Sequence, residues 1–292
     1  MDVGSQLKQY LDSNGKADML SVGKGMQGQA RKVQLKDGIV YVAKAYSSSD
    51  PMSSFHTFER ESTIIKSFVD KCQQYLLCFS GSLVYNNHGV TEYWLITEYL
   101  QNYTELFEVL SKGAPVFNTQ IYVNMIEGLK ILHGLGISHQ DIKPENLMVN
   151  LETSQVKYLD FGLSCMKDKF ACDARGSPMY VAPEIKYVKD IDSAQSADLW
   201  SLGMVIWICE NRRNPLAIDA MMYFTDKFKR PKTSPYYGKV LNRAEDLDKF
   251  VNENNRSNKL TIQRDGYKID LTKLLNMDPS QRTLQCYEKT RE

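Results

Sequence analysis

An acid, a cation and an amide stand in fixed order in His139-Gln140-Asp141-Ile142-Lys143-Pro144-Glu145-Asn146. In-line transfer of a phosphoryl group from a nucleotide to a hydroxyl needs three groups on one rigid loop. These are a carboxylate to orient the attacking hydroxyl, a cation near the migrating charge and an oxygen ligand for magnesium. Asp141, Lys143 and Asn146 fill those places. A second carboxylate follows in Asp160-Phe161-Gly162, and a hard carboxylate oxygen suits a hard cation.

The elements that must carry these residues can be read coarsely. Strands are predicted near Leu20, over 29–35 and over 39–46, with Lys36-Asp37-Gly38 as the hairpin turn between the last two. A helix is predicted over 54–69, because Ile64, Ile65 and Phe68 recur at helical spacing. Residues 77–84 and 92–98 read as strands joined by Asn86-Asn87-His88-Gly89. The pattern turns helical from Thr104, most clearly over 119–135, and the run Gln155-Val156-Lys157-Tyr158-Leu159 reads as a strand before Asp160. A short amphipathic piece over 6–11 precedes the first strand. The expectation is an α+β chain, β-rich first and helical afterwards.

Taken in order, the motifs resemble those of eukaryotic-type protein kinases of the serine/threonine-specific kind. The resemblance covers roughly 20–282, nearly the whole chain. The 139–146 stretch resembles the catalytic loop, with Gln140 where most members carry arginine. Gly23-Lys24-Gly25-Met26-Gln27-Gly28 resembles the glycine-rich loop, where side chains would keep backbone amides from phosphate oxygens. Val42-Ala43-Lys44 resembles the strand whose lysine pairs the α- and β-phosphates, and Glu61 the helix glutamate that holds it, with Glu59 as the competing choice. Gly176-Ser177-Pro178-Met179-Tyr180-Val181-Ala182-Pro183-Glu184 resembles the peptide-docking loop. Asp198-Leu199-Trp200-Ser201-Leu202-Gly203 resembles the start of the central helix of the large lobe, and Arg282 the late arginine that pairs with Glu184.

The resemblance implies one bilobal domain over 1–292, with an N-lobe over 1–98 and a C-lobe over 99–292. It implies transfer of the γ-phosphoryl of ATP to serine or threonine hydroxyls of a protein substrate, because Lys143 marks serine/threonine-specific members. Asp141, Lys143, Lys44 and Glu61 are then the catalytic set, while Asp160 and Asn146 hold Mg2+, for which Mn2+ can substitute. ATP contacts are expected from Val22, Gly23, Gly25, Gly28, Ala30, Val42 and Lys44. In Thr97-Glu98-Tyr99-Leu100, Thr97 takes the gatekeeper place, Glu98 offers a carbonyl and Leu100 an amide. Glu105 is the candidate for the ribose, and Met148 with Leu147 for the adenine floor. Ser177 and Glu145 face the substrate, and His139 reads as structural, as do Glu184, Arg282 and Asp198. His56, His88 and His133 receive no role. Asp173 stands where many members place a phosphothreonine. With neutral Gln140, it predicts activity without phosphorylation of the 160–184 segment.

Bulk properties exclude other classes. Of the 292 residues, 42% are hydrophobic and 24% charged, the balance of an ordinary globular chain. The net charge is +1, so there is no broad basic field for nucleic acid or membrane. No apolar run approaches the length of a membrane helix, and the first residues lack signal-peptide character. The expectations are a monomer in the cytoplasm, or in the host cytoplasm given a resemblance of the short loops to kinases of large DNA viruses. The six cysteines are expected to be reduced thiols, although Cys165 and Cys172 flank the activation segment. Residues 211–264 depart from common kinase patterns and are a candidate region for partner contacts. The basic run 227–230 reads as an exposed face.

Overall fold

Alternating apolar and polar residues in the first hundred positions fold as a five-stranded antiparallel sheet in which the strands over 20–25, 28–34, 40–46, 90–98 and 79–87 lie side by side in that order. The computed structural model describes residues 2–16, 19–25, 28–46, 50–113, 116–212 and 243–290. Helix α1 (Val3–Asn14) comes first, capped by Asp2, whose carboxylate accepts from Ser5 N. Strands β1 (Leu20–Gly25), β2 (Gly28–Gln34) and β3 (Val40–Tyr46) follow. Helix α2 (Pro51–Ser67) is capped by Asp50, and the short α3 (Cys72–Tyr75) leads into β4 (Phe79–Asn87) and β5 (Val90–Glu98). The β4–β5 turn places His88 and Gly89 at positive φ, and Asn86 Oδ1 accepts from Gly89 N, the chemistry of a tight hairpin.

The second half is mostly helical. It runs through β6 (Thr104–Glu105), α4 (Leu106–Ser111), α5 (Thr119–Gly134), β7 (Ile137–Ser138), β8 (Leu147–Val149), β9 (Val156–Tyr158) and β10 (Cys165–Met166). Then come α6 (Ile191–Asn211), α7 (Arg243–Arg256), β11 (Thr261–Arg264), β12 (Tyr267–Asp270) and β13 (Tyr287–Lys289). No helix among the described residues is long and apolar enough to cross a membrane.

Two cores hold the chain. The larger joins Ile64, Ile65 and Phe68 at the end of α2 to α5, β8, β9 and the buried length of α6. The smaller lies on the other face of the sheet, where Leu7 and Leu11 of α1 pack on Val33, Leu35, Tyr41, Trp94 and Ile96. The piece expected over 6–11 is therefore a full twelve-residue helix that covers the sheet. Helix α6 starts seven residues before Asp198, because Asp190 and Ser193 form a reciprocal capping box. The expectation that Asp198 lies at its start is corrected.

The cysteine expectation is corrected as well. Cys72 is bridged to Cys78 and Cys165 to Cys172, each pair with Cα atoms about 5 Å apart, within disulfide reach. Cys209 and Cys286 are buried thiols. Of the divergent region, residues 213–242 lie outside the described residues, including the basic run 227–230. Within its described part, Arg264 on β11 donates to both carboxylate oxygens of Glu210 at the end of α6.

Candidate active site

Alternation along β3 puts Val42, Lys44 and Tyr46 on one face of the sheet, the face that meets α2. Lys44 Nζ donates to Glu61 Oε2 at 2.8 Å and to Asp160 Oδ1 at 3.0 Å. Glu61 is buried and Glu59 exposed, so the phase of α2 decides between the two. Burial pulls the Lys44 ammonium down, but Glu61 and Asp160 outweigh it and hold the group above its ordinary value. Burial likewise pushes Asp160 up, and Lys44 overcomes this, holding its carboxyl below the usual range. The lysine is thus kept cationic and Asp160 anionic.

The 139–146 loop is anchored from below by Asp198 on α6. That carboxylate accepts from Ser138 Oγ and from the backbone N–H of His139 and Gln140, each at 2.8 Å. His133 Nε2 lies 3.0 Å from it, a contact the sequence does not signal. These bonds hold Gln140 at φ 62°, a backbone region that non-glycine residues occupy only where surroundings fix it. His139 is fully buried: its Nε2 lies 2.9 Å from Leu159 O, and its Nδ1 accepts from Asp141 N at 3.3 Å. Phe161 packs between His139 (5.1 Å) and Phe68 (5.3 Å), linking the loop to the end of α2.

On this support, Asp141, Lys143, Asn146 and Ser177 form a closed cluster. Lys143 Nζ lies 2.8 Å from Asp141 Oδ2 and donates to Ser177 Oγ at 3.0 Å. Ser177 donates to Asp141 Oδ1 at 2.7 Å, and Asn146 Nδ2 donates to Asp141 O and Oδ2 at 2.8 and 3.1 Å. Gly176 makes the approach of Ser177 possible. It has a positive φ that side-chain-bearing residues rarely adopt, and a Cβ there would meet Gln140 O at 2.8 Å. Downstream, Arg282 binds both carboxylate oxygens of Glu184, at 2.5 and 2.9 Å. Upstream, Gln140 Nε2 donates to Asp173 O at 2.6 Å, and Asp173 pairs with Arg175.

Residues 17–287 match the protein kinase domain. The chain belongs to the protein kinase family. It is 27% identical over 219 residues to a probable serine/threonine-protein kinase of Dictyostelium discoideum, covering 72% of this chain and 15% of that one. It is 33% identical over 158 residues to CBL-interacting serine/threonine-protein kinase 14 of Arabidopsis thaliana, covering 49% of this chain and 35% of that one. To CBL-interacting protein kinase 12 of Oryza sativa subsp. japonica it is 35% identical over 124 residues, covering 40% of this chain and 22% of that one. The chain thus spans 15–35% of the length of these relatives.

In this kinase domain the residues expected to meet a nucleotide lie on the sheet and on the connector after β5. Gly23 and Gly25 lie on β1 and Gly28 opens β2, with Gly25 opposite Gly28. The tip, Met26-Gln27, lies outside the described residues. Val22 is exposed on β1, Ala30 lies opposite Lys44, and Val42 lies opposite the buried Thr97. Leu100 follows in the connector, and Glu105 pairs with Met148 across β6 and β8. Leu147 is fully buried in the larger core, so alternation turns Met148 the opposite way.

The carboxylate of Glu98 is held in a way that its neighbours in sequence do not reveal. Buried Lys157 on β9 donates to Cys72 O at 2.9 Å, Leu76 O at 3.0 Å and Glu98 Oε1 at 2.9 Å. All three of its donors are thereby satisfied. Glu98 Oε1 also accepts from Cys78 N at 2.9 Å, tying the connector to the segment beneath α2.

A magnesium site fits these residues. Asp160 is an ionised carboxylate, and Asn146 has its nitrogen committed to Asp141, so its oxygen is the atom left to ligate. Among the described residues no group of three His, Cys, Asp or Glu could hold a metal alone. Two oxygens suit magnesium, which takes its remaining ligands from phosphates and water.

Proposed function

We propose that this chain transfers the γ-phosphoryl group of ATP to serine or threonine hydroxyls of proteins. The observation that carries the proposal is the Asp141–Lys143–Ser177–Asn146 cluster beside the Lys44–Glu61–Asp160 one. Asp141 already accepts a hydrogen bond from a hydroxyl, that of Ser177, as it would from a substrate. In this reading Asp141 orients the acceptor and takes its proton late. Lys143 offsets charge on the moving group, and Lys44, fixed by Glu61, orients the phosphates. Asp160 and Asn146 would hold Mg2+, or Mn2+ in its place, which neutralises phosphate charge when bound. Val22, Gly23, Gly25, Gly28, Ala30, Val42, Thr97, Glu98, Leu100, Glu105 and Met148 would enclose the nucleotide.

Glu105 and Glu145 support a preference for basic residues before the phosphosite. Burial, then the nearby Glu145, pushes the Glu105 carboxyl up, and Glu145 Oε2 is buried without a hydrogen-bond partner among the described residues. The experiment is a panel of Ser, Thr and Tyr peptides and small metabolites with labelled ATP. Labelled Ser/Thr peptides, best with upstream arginine, are the expected result. Label on metabolites alone, or nucleotide binding without transfer, would replace the proposal with a small-molecule kinase or a nucleotide-binding scaffold.

Activity without phosphate on the activation segment belongs to the same reading. Gln140 brings no cation for a phosphate to neutralise, and its amide is bonded to Asp173 O. The Asp173 carboxylate pairs with Arg175, while burial, then Arg175, push the Arg60 guanidinium of α2 down and Asp173 only partly opposes them. Protein made in bacteria, stripped by phosphatase and shown bare by mass spectrometry should keep most of its activity. Loss of activity on stripping and recovery on autophosphorylation would contradict this.

The pocket gives a further expected result. Thr97 is small and buried, so methionine there should fill the space behind adenine. Bulky inhibitors that reach past this position should weaken, with the Michaelis constant for ATP little changed. Unchanged inhibition across such a series would show that Thr97 does not face the nucleotide.

A further inference from the structure

We infer that Tyr46 is a positioning residue for phosphoryl transfer, holding Glu61, and through it Lys44, by a hydrogen bond from its phenol. The inference rests on the protein kinase reading above. Tyr46 stands two residues after Lys44 on β3, so both side chains leave the same face of the strand. Its hydroxyl donates to Glu61 Oε2 at 2.5 Å, the same oxygen that receives Lys44 Nζ at 2.8 Å. Glu61 Oε2 therefore has two donors from β3, and only one of them is the lysine.

The chemistry gives that second donor a purpose. Lys44 divides its charge between Glu61 and Asp160, so Glu61 does not have a cation to itself. Glu61 is buried, and burial pushes its carboxyl up, while Lys44 and the Tyr46 hydroxyl pull the other way. Burial also pushes the Tyr46 phenol well up, with the Glu61 charge adding to it, so the group remains a proton donor. A neutral donor supports the carboxylate without competing with phosphate for a cation. A second lysine in its place would compete.

The ring of Tyr46 contributes separately. It is fully buried, packs edge-on against Phe58 of α2 at 5.8 Å, and lies 5.1 Å from Lys44 Nζ. Phe58 and Glu61 are one helical turn apart, so Tyr46 grips the same face of α2 with its ring and with its hydroxyl. Removing the oxygen alone separates the two roles, since Tyr46→Phe keeps every ring contact.

The test is a double-mutant cycle of wild type, Tyr46→Phe, Glu61→Ala and the pair, read in kcat/KM and in nucleotide affinity. Tyr46→Phe should lower kcat/KM by about tenfold, the scale of a hydrogen bond to a charged group, and weaken ATP binding in the same direction. In the Glu61→Ala background the same change should cost less than about twofold, because the acceptor is gone. Values within about twofold of wild type for Tyr46→Phe would overturn the inference. So would an equal loss in both backgrounds, which would mark a packing role. If wild type transferred no phosphoryl group, the protein kinase reading would fall, and the cycle in nucleotide affinity would still decide the role of Tyr46.

Discussion

Asp141→Asn is expected to keep the fold and ATP affinity of the parent and to lose at least ~100-fold in turnover, the usual scale for a positioned proton acceptor. The carboxylate is held from three sides, by Ser177 at 2.7 Å, Lys143 at 2.8 Å and Asn146 at 3.1 Å. An amide has the same size, so the neighbours need not move. It cannot take the proton of an acceptor hydroxyl, and it carries no charge to hold Lys143 in place. Steady-state assays with a labelled Ser/Thr peptide, beside a nucleotide-binding titration, separate chemistry from binding. Transfer near the wild-type rate would remove Asp141 from the catalytic role.

The second large effect is on stability. Arg282→Ala is expected to cost about 3–5 kcal/mol, the range for breaking a buried ion pair by deleting one partner. The arginine side chain is fully buried, and its guanidinium lies 5.1 Å from the Trp200 ring. It donates to Glu184 twice, to Asn276 O at 2.8 Å and to Ser196 O at 3.0 Å. Deleting it leaves the Glu184 carboxylate without its cation and strips two carbonyls of a donor. The midpoint of thermal unfolding should fall by about 10 °C, given a few degrees per kcal/mol in a chain of this size. The double change Arg282→Met with Glu184→Leu should recover part of the loss, because no orphaned charge remains. A fall under about 2 °C for the single variant would show that the pair contributes little.

What is legible in the sequence is local. Asp141, Lys143 and Asn146 lie within one loop, and the backbone of that loop places them together. The choice of Glu61 over Glu59 follows from the apolar phase of α2, since Ile64 and Ile65 fix which side is buried. The hairpin at Asp37-Gly38 follows from turn chemistry, and Gly38 does adopt the positive φ that the turn requires.

What the sequence hides depends on contacts that spacing does not encode. The bond from Tyr46 to Glu61 joins a strand to a helix, and Lys157 reaches Glu98 across 59 positions. His133 shows no role in sequence because its partner, Asp198, lies 65 positions away. The two disulfides are hidden for a related reason. Spacings of six and seven residues say nothing until the intervening chain turns back on itself. The start of α6 is masked because the central motif is easily taken for the helix end, whereas the capping signal lies upstream at Asp190 and Ser193.

The most direct test of the phosphoryl-transfer assignment is phosphosite mapping by mass spectrometry. Purified protein, ATP and Mg2+ would be incubated with a mixed peptide library, with Asp141→Asn as the control. Phosphate is expected on serine and threonine, none on tyrosine, and none above background with the variant. Phosphotyrosine as the main product, or equal phosphorylation by Asp141→Asn, would contradict it.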